Sequence, residues 1–251
     1  MPTLPEIVRY TDEYLRVAEC GDWANALNGL QVENSGRVTK IGAAVDASTR
    51  SFSAAVERGV NLLVVHHGLF WPGLQPVTGN FRRQLRLLFE RDIALYSAHL
   101  PLDAHSVVGN NAQIADRLGI HETAPFFEAK GEVIGLVGEA VMPRDELRTK
   151  LVHSLGSHVQ MFAHGPAETR RIGIVSGGAG GEIYGVAKAG IDTFITGEAP
   201  HSSAIVAEEL GINLLLGGHY ATETFGVKAL AAHLAQRFEL PWEFIDAPTG
   251  L

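Results

Sequence analysis

Residues 37–68 read RVTKIGAAVDASTRSFSAAVERGVNLLVVHHG, which is an apolar run, a polar turn, an amphipathic segment, a glycine and a second apolar run. This order is typical of a strand, a helix and a following strand, with the glycine at the end of the helix. Such a unit predicts a right-handed crossover between parallel strands of one sheet. The stretch therefore places the chain in the α/β class.

The same order of residues recurs at positions 168–199, in ETRRIGIVSGGAGGEIYGVAKAGIDTFITGEA. Any two strand–helix–strand units share some pattern, but these two align at one offset without a gap, which favours an internal duplication. We expect two similar α/β domains, each a mixed sheet with flanking helices. The first would span residues 1–125 plus 220–251, and the second residues 126–219. The matched pairs are Ile41 with Ile172, Gly42 with Gly173, Gly59 with Gly190, and Asn61 with Asp192.

Composition narrows the class of protein further. Of the 251 residues, 46% are hydrophobic and 19% are charged, as in ordinary soluble globular proteins. The longest apolar runs are too short to cross a bilayer, and the first residues lack the order of a secretory signal. A single cysteine, Cys20, excludes an internal disulfide and fits a reducing cytoplasm. The formal charge of −8 gives no support to nonspecific nucleic-acid binding.

Two adjacent histidines, His66 and His67, stand at the end of the apolar run NLLVV. Open α/β sheets bind their ligands at the ends of strands, where this pair lies. Because consecutive residues of a strand point to opposite sides, the two imidazoles would more naturally serve two metal ions than chelate one. The alternative is a pair of strand-end histidines that hydrogen-bond backbone groups.

Further candidate ligands follow two other apolar runs. IALYSAHLPLD carries His99 and Asp103, and INLLLGGHYATE carries His219 and Glu223. Imidazole and carboxylate together suit zinc, manganese or iron better than calcium or magnesium. The sequence therefore predicts two divalent metal ions per chain, with one of these metals at each site.

Each of these residues also has a plainer interpretation. Glu223 fits an acidic residue in the first turn of a helix, and Asp103 fits a loop or capping residue. His99 fits a structural role, a partner of a metal ligand, or a group that transfers protons. We take it as the candidate catalytic residue.

Two glycine-rich segments could contact a substrate. SGGAGGE, residues 176–182, could hold an anion with its backbone amides or form a tight turn, and the sequence leaves its role open. ITGEAPHSS carries Glu198 and His201 at the position that matches the histidine pair in the repeat. We take these two residues as candidates for substrate binding.

At these positions the chain resembles the Nif-three-like proteins (NGG-one interacting factor three). It is similar to the short bacterial form, which is called a GTP cyclohydrolase I type-two homolog. The resemblance covers nearly the whole chain, and the paired histidines together with GHYATE are its most specific marks. The matching segments are LNGLQVE, VVHHGLFW, YSAHLPLDAH, TGEAPHSS, GGHYATETFGVKAL and FIDAP.

The resemblance implies a dinuclear metal centre in the cleft between two similar domains, and a ring built from three dimers, hence a homohexamer. It implies that His67, Asp103 and Glu223 hold one ion, and that His66, His219 and Glu223 hold the other. The large insertion of longer members is absent. Leu100 and Pro101 stand where many members have a threonine–asparagine pair.

The function favoured by these features is that of a dinuclear metal-dependent hydrolase. Bridged ions lower the pKa of a shared water and polarise the substrate. By resemblance, the substrate is GTP, opened at its purine ring, or another nucleotide or phosphate ester. The alternative is a metal-binding ring that acts as a scaffold, a regulator, or a binding module for nucleic acid or protein.

Overall fold

The computed structural model describes residues 2–251, which divide into two compact units. The first unit runs to Leu102 and takes up the chain again at Gly226–Ala247. The second contains Asp103–Phe225 and Pro248–Leu251. The chain passes between the units within the short helix α4 (Leu100–Asp103), within the helix α9 (His219–Phe238), and again after Ala247.

The first unit is a five-stranded mixed sheet flanked by helices. Its strands lie in the order β1-β4-β3-β2-β11, and only β1 runs antiparallel to its neighbour. The strands are β1 (Gly29–Val32), β2 (Ile41–Asp46), β3 (Leu62–His67), β4 (Ala94–Ser97) and β11 (Trp242–Phe244). The helices are α1 (Leu4–Leu15), α2 (Thr49–Glu57) and α3 (Gly79–Glu90), with a 3-10 turn at Ala24–Ala26.

The second unit is a six-stranded mixed sheet in the order β5-β6-β8-β9-β10-β7. Strands β8, β9 and β10 are parallel, and the other pairs are antiparallel. The strands are β5 (Thr123–Ala129), β6 (Glu132–Pro143), β7 (Gln160–Ala163), β8 (Glu168–Val175), β9 (Thr193–Thr196) and β10 (Asn213–Leu216). The helices are α5 (Asn110–Leu118), α6 (Arg144–Leu155), α7 (Ile183–Lys188) and α8 (His201–Leu210), with a 3-10 turn at Ala179–Glu182.

These two sheets confirm the expected fold class. Each unit has its own apolar core, in which side chains of the sheet pack against side chains of the flanking helices. Strand β3 contributes to the first core and strand β8 to the second. Residues 103–125 belong to the second unit, in which β5 pairs with β6. The domain boundaries expected near 125 and 220 stay a prediction.

The register of the strands reproduces the sequence repeat. Ile41 of β2 lies beside Leu62 of β3, and at the matching positions Ile172 of β8 lies beside Thr193 of β9. The next strands also correspond, because β4 lies parallel to β3 in the first unit and β10 lies parallel to β9 in the second. Each unit then adds an antiparallel neighbour, β1 or β7, on the same side.

One side-chain contact is repeated as well. Asn61 Oδ1 accepts hydrogen bonds from the backbone N–H groups of Thr39 and Lys40, at 2.9 and 3.3 Å. At the matching place in the second unit, Asp192 Oδ2 accepts from the two N–H groups just before Ile172, at 3.0 and 2.8 Å. The same contact in both copies supports the inferred duplication.

Among residues 2–251, no helix combines the length and the apolar character needed to cross a membrane.

Candidate metal centre

Three histidines come together in the first unit. His66 and His67 end β3, and His99 lies two residues beyond β4. Because β3 and β4 are parallel neighbours, their carboxyl ends meet at one edge of the sheet. One ring nitrogen from each of the three side chains lies within 4.8 Å of those of the other two. This group has the spacing needed to hold a metal ion.

The two adjacent histidines are held from opposite sides of their strand. His66 Nδ1 lies 2.9 Å from the carbonyl oxygen of Ala98, just after β4. His67 Nδ1 lies 2.9 Å from Asp46 Oδ1, at the end of β2 on the other flank. The rings nevertheless stay close, with centroids 4.8 Å apart. The two side chains therefore find hydrogen-bond partners on opposite neighbouring strands, as expected for consecutive strand residues, but their rings remain close together.

The partner of each Nδ1 fixes which ring nitrogen can bind a metal. Carbonyl and ionised carboxylate oxygens only accept hydrogen bonds, so the proton of each neutral ring lies on Nδ1. His99 follows the same rule, because its Nδ1 is 2.9 Å from Asp22 Oδ1. Each neutral ring then carries its lone pair on Nε2. This is how metal-binding histidines are usually oriented in proteins.

Asp22 was not predicted from the sequence, although it organises the surroundings of His99. Its carboxylate also accepts from Asn28 Nδ2 at 2.8 Å and from the backbone N–H of Leu100 at 3.0 Å. Burial alone would raise the pKa of Asp22, but the hydrogen bonds from His99, Asn28 and Leu100 lower it below its ordinary value. Asp22 is therefore an anion in the folded protein at neutral pH.

In the second unit, His219 stands between two carboxylates. It is the first residue of α9, and Glu223 follows one turn later, with its Oε1 3.1 Å from His219 Nε2. Glu198, just after β9, places its Oε1 3.0 Å from His219 Nδ1. The hydrogen bond to Glu223 raises the pKa of His219 to about 9 against the effect of burial, and Glu198 adds to the rise. A metal ion that binds Nε2 must displace this proton.

Glycines make room for these side chains. Gly177 has a φ of +69°, and a Cβ at this position would collide with Glu223 Oε1. At Gly197, a Cβ would lie 2.8 Å from the Cα of His219. Side chains at these two positions would displace Glu223 and the start of α9. Part of the glycine-rich segment 176–182 thus serves to accommodate a candidate ligand.

The remaining predicted residues take different places. Asp103 is buried at the end of α4, where its Oδ1 accepts from Asn110 Nδ2 at 2.8 Å and lies 3.4 Å from Ser176 Oγ. Glu198, predicted to bind substrate, lies against a candidate metal ligand. His201 is exposed at the first residue of α8. The structure therefore gives Glu198 a contact that the sequence did not indicate.

The donor set fits a divalent cation. It consists of imidazole nitrogens with fixed tautomers and of carboxylates, which together suit zinc, manganese or iron. The fold and these groups define a class of α/β protein with two similar mixed sheets and candidate histidine and glutamate ligands for metal. A model of the family Duf34/NIF3 (NGG1p interacting factor 3) matches residues 2–249. The chain belongs to this family, which confirms the resemblance inferred from its motifs.

Curated proteins and solved structures agree with the assignment. The "GTP cyclohydrolase 1 type 2 homolog" of Deinococcus radiodurans is 40% identical over 250 residues, covering 98% of this chain and 94% of the relative. The protein of the same name from Pyrococcus horikoshii is 41% identical, covering 98% of each. The crystal structure of TTHA1606 from Thermus thermophilus has a TM-score of 0.91 at 43% identity, covering 99% of this chain and 100% of that one.

Proposed function

We propose that the chain is a dinuclear metal-dependent hydrolase. The observation that carries the proposal is the orientation of the three histidines in the first unit, whose Nδ1 atoms are held by oxygen acceptors. Packing for stability alone does not require all three Nδ1 atoms to be held in this way with the three rings so close together. As the family resemblance implies, His67, Asp103 and Glu223 would hold one ion, and His66, His219 and Glu223 the other.

The protein's own residues have distinct tasks in this proposal. Bound divalent ions would supply Lewis acidity and an acidified water for hydrolysis at neutral pH. Asp46 and Glu198 fix the orientation of His67 and His219 through their Nδ1 atoms. Asn110 holds Asp103 in place by donating to Oδ1.

His99 is our candidate for proton transfer. Its Nδ1 proton is held by Asp22, so Nε2 is the atom that would take up or release a proton. Asp22 also fixes the orientation of the His99 ring, as an acceptor on the second nitrogen of a working histidine does. His99 lies in the same group as His66 and His67, and this closeness to the proposed ligands supports a role in proton transfer.

The substrate proposal rests on the relatives. Their name, "GTP cyclohydrolase 1 type 2 homolog", supports a hydrolysis on GTP, by opening of the purine ring, or on another nucleotide or phosphate ester. A shared fold does not by itself fix the substrate. The competing function is a metal-binding ring without turnover, acting as a scaffold or regulator.

The test starts from protein purified without added metal, whose metal content is measured before a hydrolysis screen over nucleotides and phosphate esters. We expect bound divalent metal and turnover that a chelator abolishes and metal restores. His66→Ala should abolish turnover, whereas His153→Ala, an exposed histidine of α6, should leave it unchanged. Bound metal with no turnover on any substrate of the screen would favour the non-enzymatic ring instead.

A further inference from the structure

Two exposed tryptophans lie beside the histidine group of the first unit. Trp23 is 44% exposed and Trp71 is 37% exposed. The Trp71 ring centroid lies 4.8 Å from that of His99 and 5.9 Å from that of His67, and the Trp23 centroid lies 5.7 Å from that of His99. A single exposed aromatic residue is ordinary, but adjacent ones at a candidate active site indicate an interaction surface.

The two indoles form a corner. Their centroids are 6.5 Å apart and their planes meet at 79°. A flat ring that stacks on one indole therefore presents its edge to the face of the other, and aromatic rings prefer both of these contacts. We call the pair Trp23 and Trp71 the tryptophan corner.

Gln31 ties together the two loops that carry the corner. Its Nε2 donates to the carbonyl oxygens of Ala26 and Leu27, at 3.1 and 2.9 Å, in the loop that follows Trp23. Its Oε1 accepts from the backbone N–H of Leu69 at 2.7 Å, in the loop that leads to Trp71. A Cβ at Gly68 would collide with the Gln31 amide, so the glycine permits this close approach.

The loop that carries Trp71 is itself a tight turn, closed by a hydrogen bond of 2.8 Å from Gly73 N to Phe70 O. The two indoles are thus held by backbone contacts in both loops. Rigid aromatic side chains lose little conformational entropy on binding, which favours a preformed site.

We propose that the tryptophan corner binds the planar ring of a heteroaromatic ligand of the purine type, next to His99. The proposal rests on the proposed function, since the ring would belong to the substrate. Stacking on an aromatic side chain recognises the flat face of a base and needs no charge from the protein. The corner therefore explains how a chain with a formal charge of −8 could bind a nucleotide.

Guanosine is the probe, because it carries the purine ring and no phosphate that could bind a metal directly. Its binding is measured by calorimetry on the full-length protein after metal removal. We expect Trp23→Ala and Trp71→Ala each to raise the Kd for guanosine between about 5-fold and about 150-fold. Trp23→Phe and Trp71→Phe keep a ring and should lose less. Gln31→Ala should also raise the Kd, although it leaves both indoles in place.

Trp242→Ala is the matched control, because Trp242 is 36% exposed but lies in β11 at the far edge of the same sheet. It should leave the Kd for guanosine unchanged. Trp242→Phe supplies a second readout, since the remaining fluorescence then comes from the corner and guanosine should quench it. Ribose, which lacks the ring, should neither bind nor quench.

Three results would overturn the proposal. The wild type could fail to bind guanosine, or the alanine variants could bind it as well as the wild type does. Iodide could also fail to quench the corner in Trp242→Phe, which would show that another copy of the chain covers it. Metal content, measured on the same preparations before the metal is removed, separates this test from the proposed function. Protein that was purified with metal but does not bind guanosine rejects the corner alone, and protein that was purified without metal but binds guanosine rejects the metal centre alone.

Discussion

Glu198 occupies the repeat position that His67 holds in the first unit, and Gly177 occupies the position of Asp46. In the first copy, Asp46 orients His67 through Nδ1. In the second copy, the glycine leaves space for the Glu223 carboxylate, and Glu198 orients His219 instead. The strand exits thus differ in an exchange of roles: His67 is a proposed ligand, whereas Glu198 at the matching position orients one, His219.

This exchange predicts a role for Glu198 that can be measured without turnover. Glu198→Ala should raise the Kd for zinc by about 10- to 100-fold, because His219 loses the acceptor that orients it. Glu198→Gln keeps an acceptor oxygen and should lose less. Competition against a chromophoric chelator measures the Kd, and Glu208→Gln, an exposed residue of α8, is the control. Wild-type affinity in Glu198→Ala would show that His219 needs no such support.

Sequence patterns located some residues of the site and missed others for a physical reason. His66, His67 and His219 follow apolar strands, so their positions are visible in the sequence. Asp46 also ends such a run, and its pairing with His67 follows from the parallel register of β2 and β3. Asp22 lies in an irregular loop without periodicity, and only the folded chain brings it to His99.

At the scale of helices and strands, the repeat gives the most specific structural prediction that the sequence allows. The gapless alignment predicted equivalent strand–helix–strand units, and both sheets reproduce its register. The strands β1 and β5 were not predicted. β1 has only four residues without alternation of burial, and β5 contains Pro125 and lies at the edge of its sheet, where proline is tolerated. Neither strand carries a pattern that distinguishes it from a loop.

The repeated side-chain contact predicts matched losses of stability. Asp192→Ala removes the acceptor of two backbone N–H groups and should lower the free energy of unfolding by about 1–3 kcal/mol. Asn61→Ala should cost a similar amount, since Asn61 makes the equivalent contacts. Asp192→Asn retains an acceptor and should cost less. Urea unfolding provides the measurement, and an alanine variant as stable as Asp192→Asn would contradict the structural role of this contact.

At the scale of the whole molecule, the family resemblance predicts assembly. The chain should form a closed homo-oligomer, a hexamer built as three dimers. Light scattering at micromolar concentration should therefore give the mass of a hexamer, unchanged on moderate dilution. A stable monomer under these conditions would remove the ring, and with it the simplest form of the scaffold alternative.

The dinuclear centre is the central claim of the proposed function, and within it the bridging role of Glu223 carries the most weight. If Glu223 bridges two ions, Glu223→Ala removes a ligand from both and leaves two cations without the charge that offsets their repulsion. His67→Ala should weaken mainly one ion. The fold should survive in both variants, because each unit has its own apolar core and does not depend on metal as small zinc modules do.

Metal content per chain, measured beside melting curves for the wild type, Glu223→Ala and His67→Ala, is the most direct test of the dinuclear centre. We predict two ions for the wild type, nearly none for folded Glu223→Ala, and an intermediate value for His67→Ala. Retention of both ions by Glu223→Ala at wild-type occupancy would contradict the bridging role and the two-metal centre built on it.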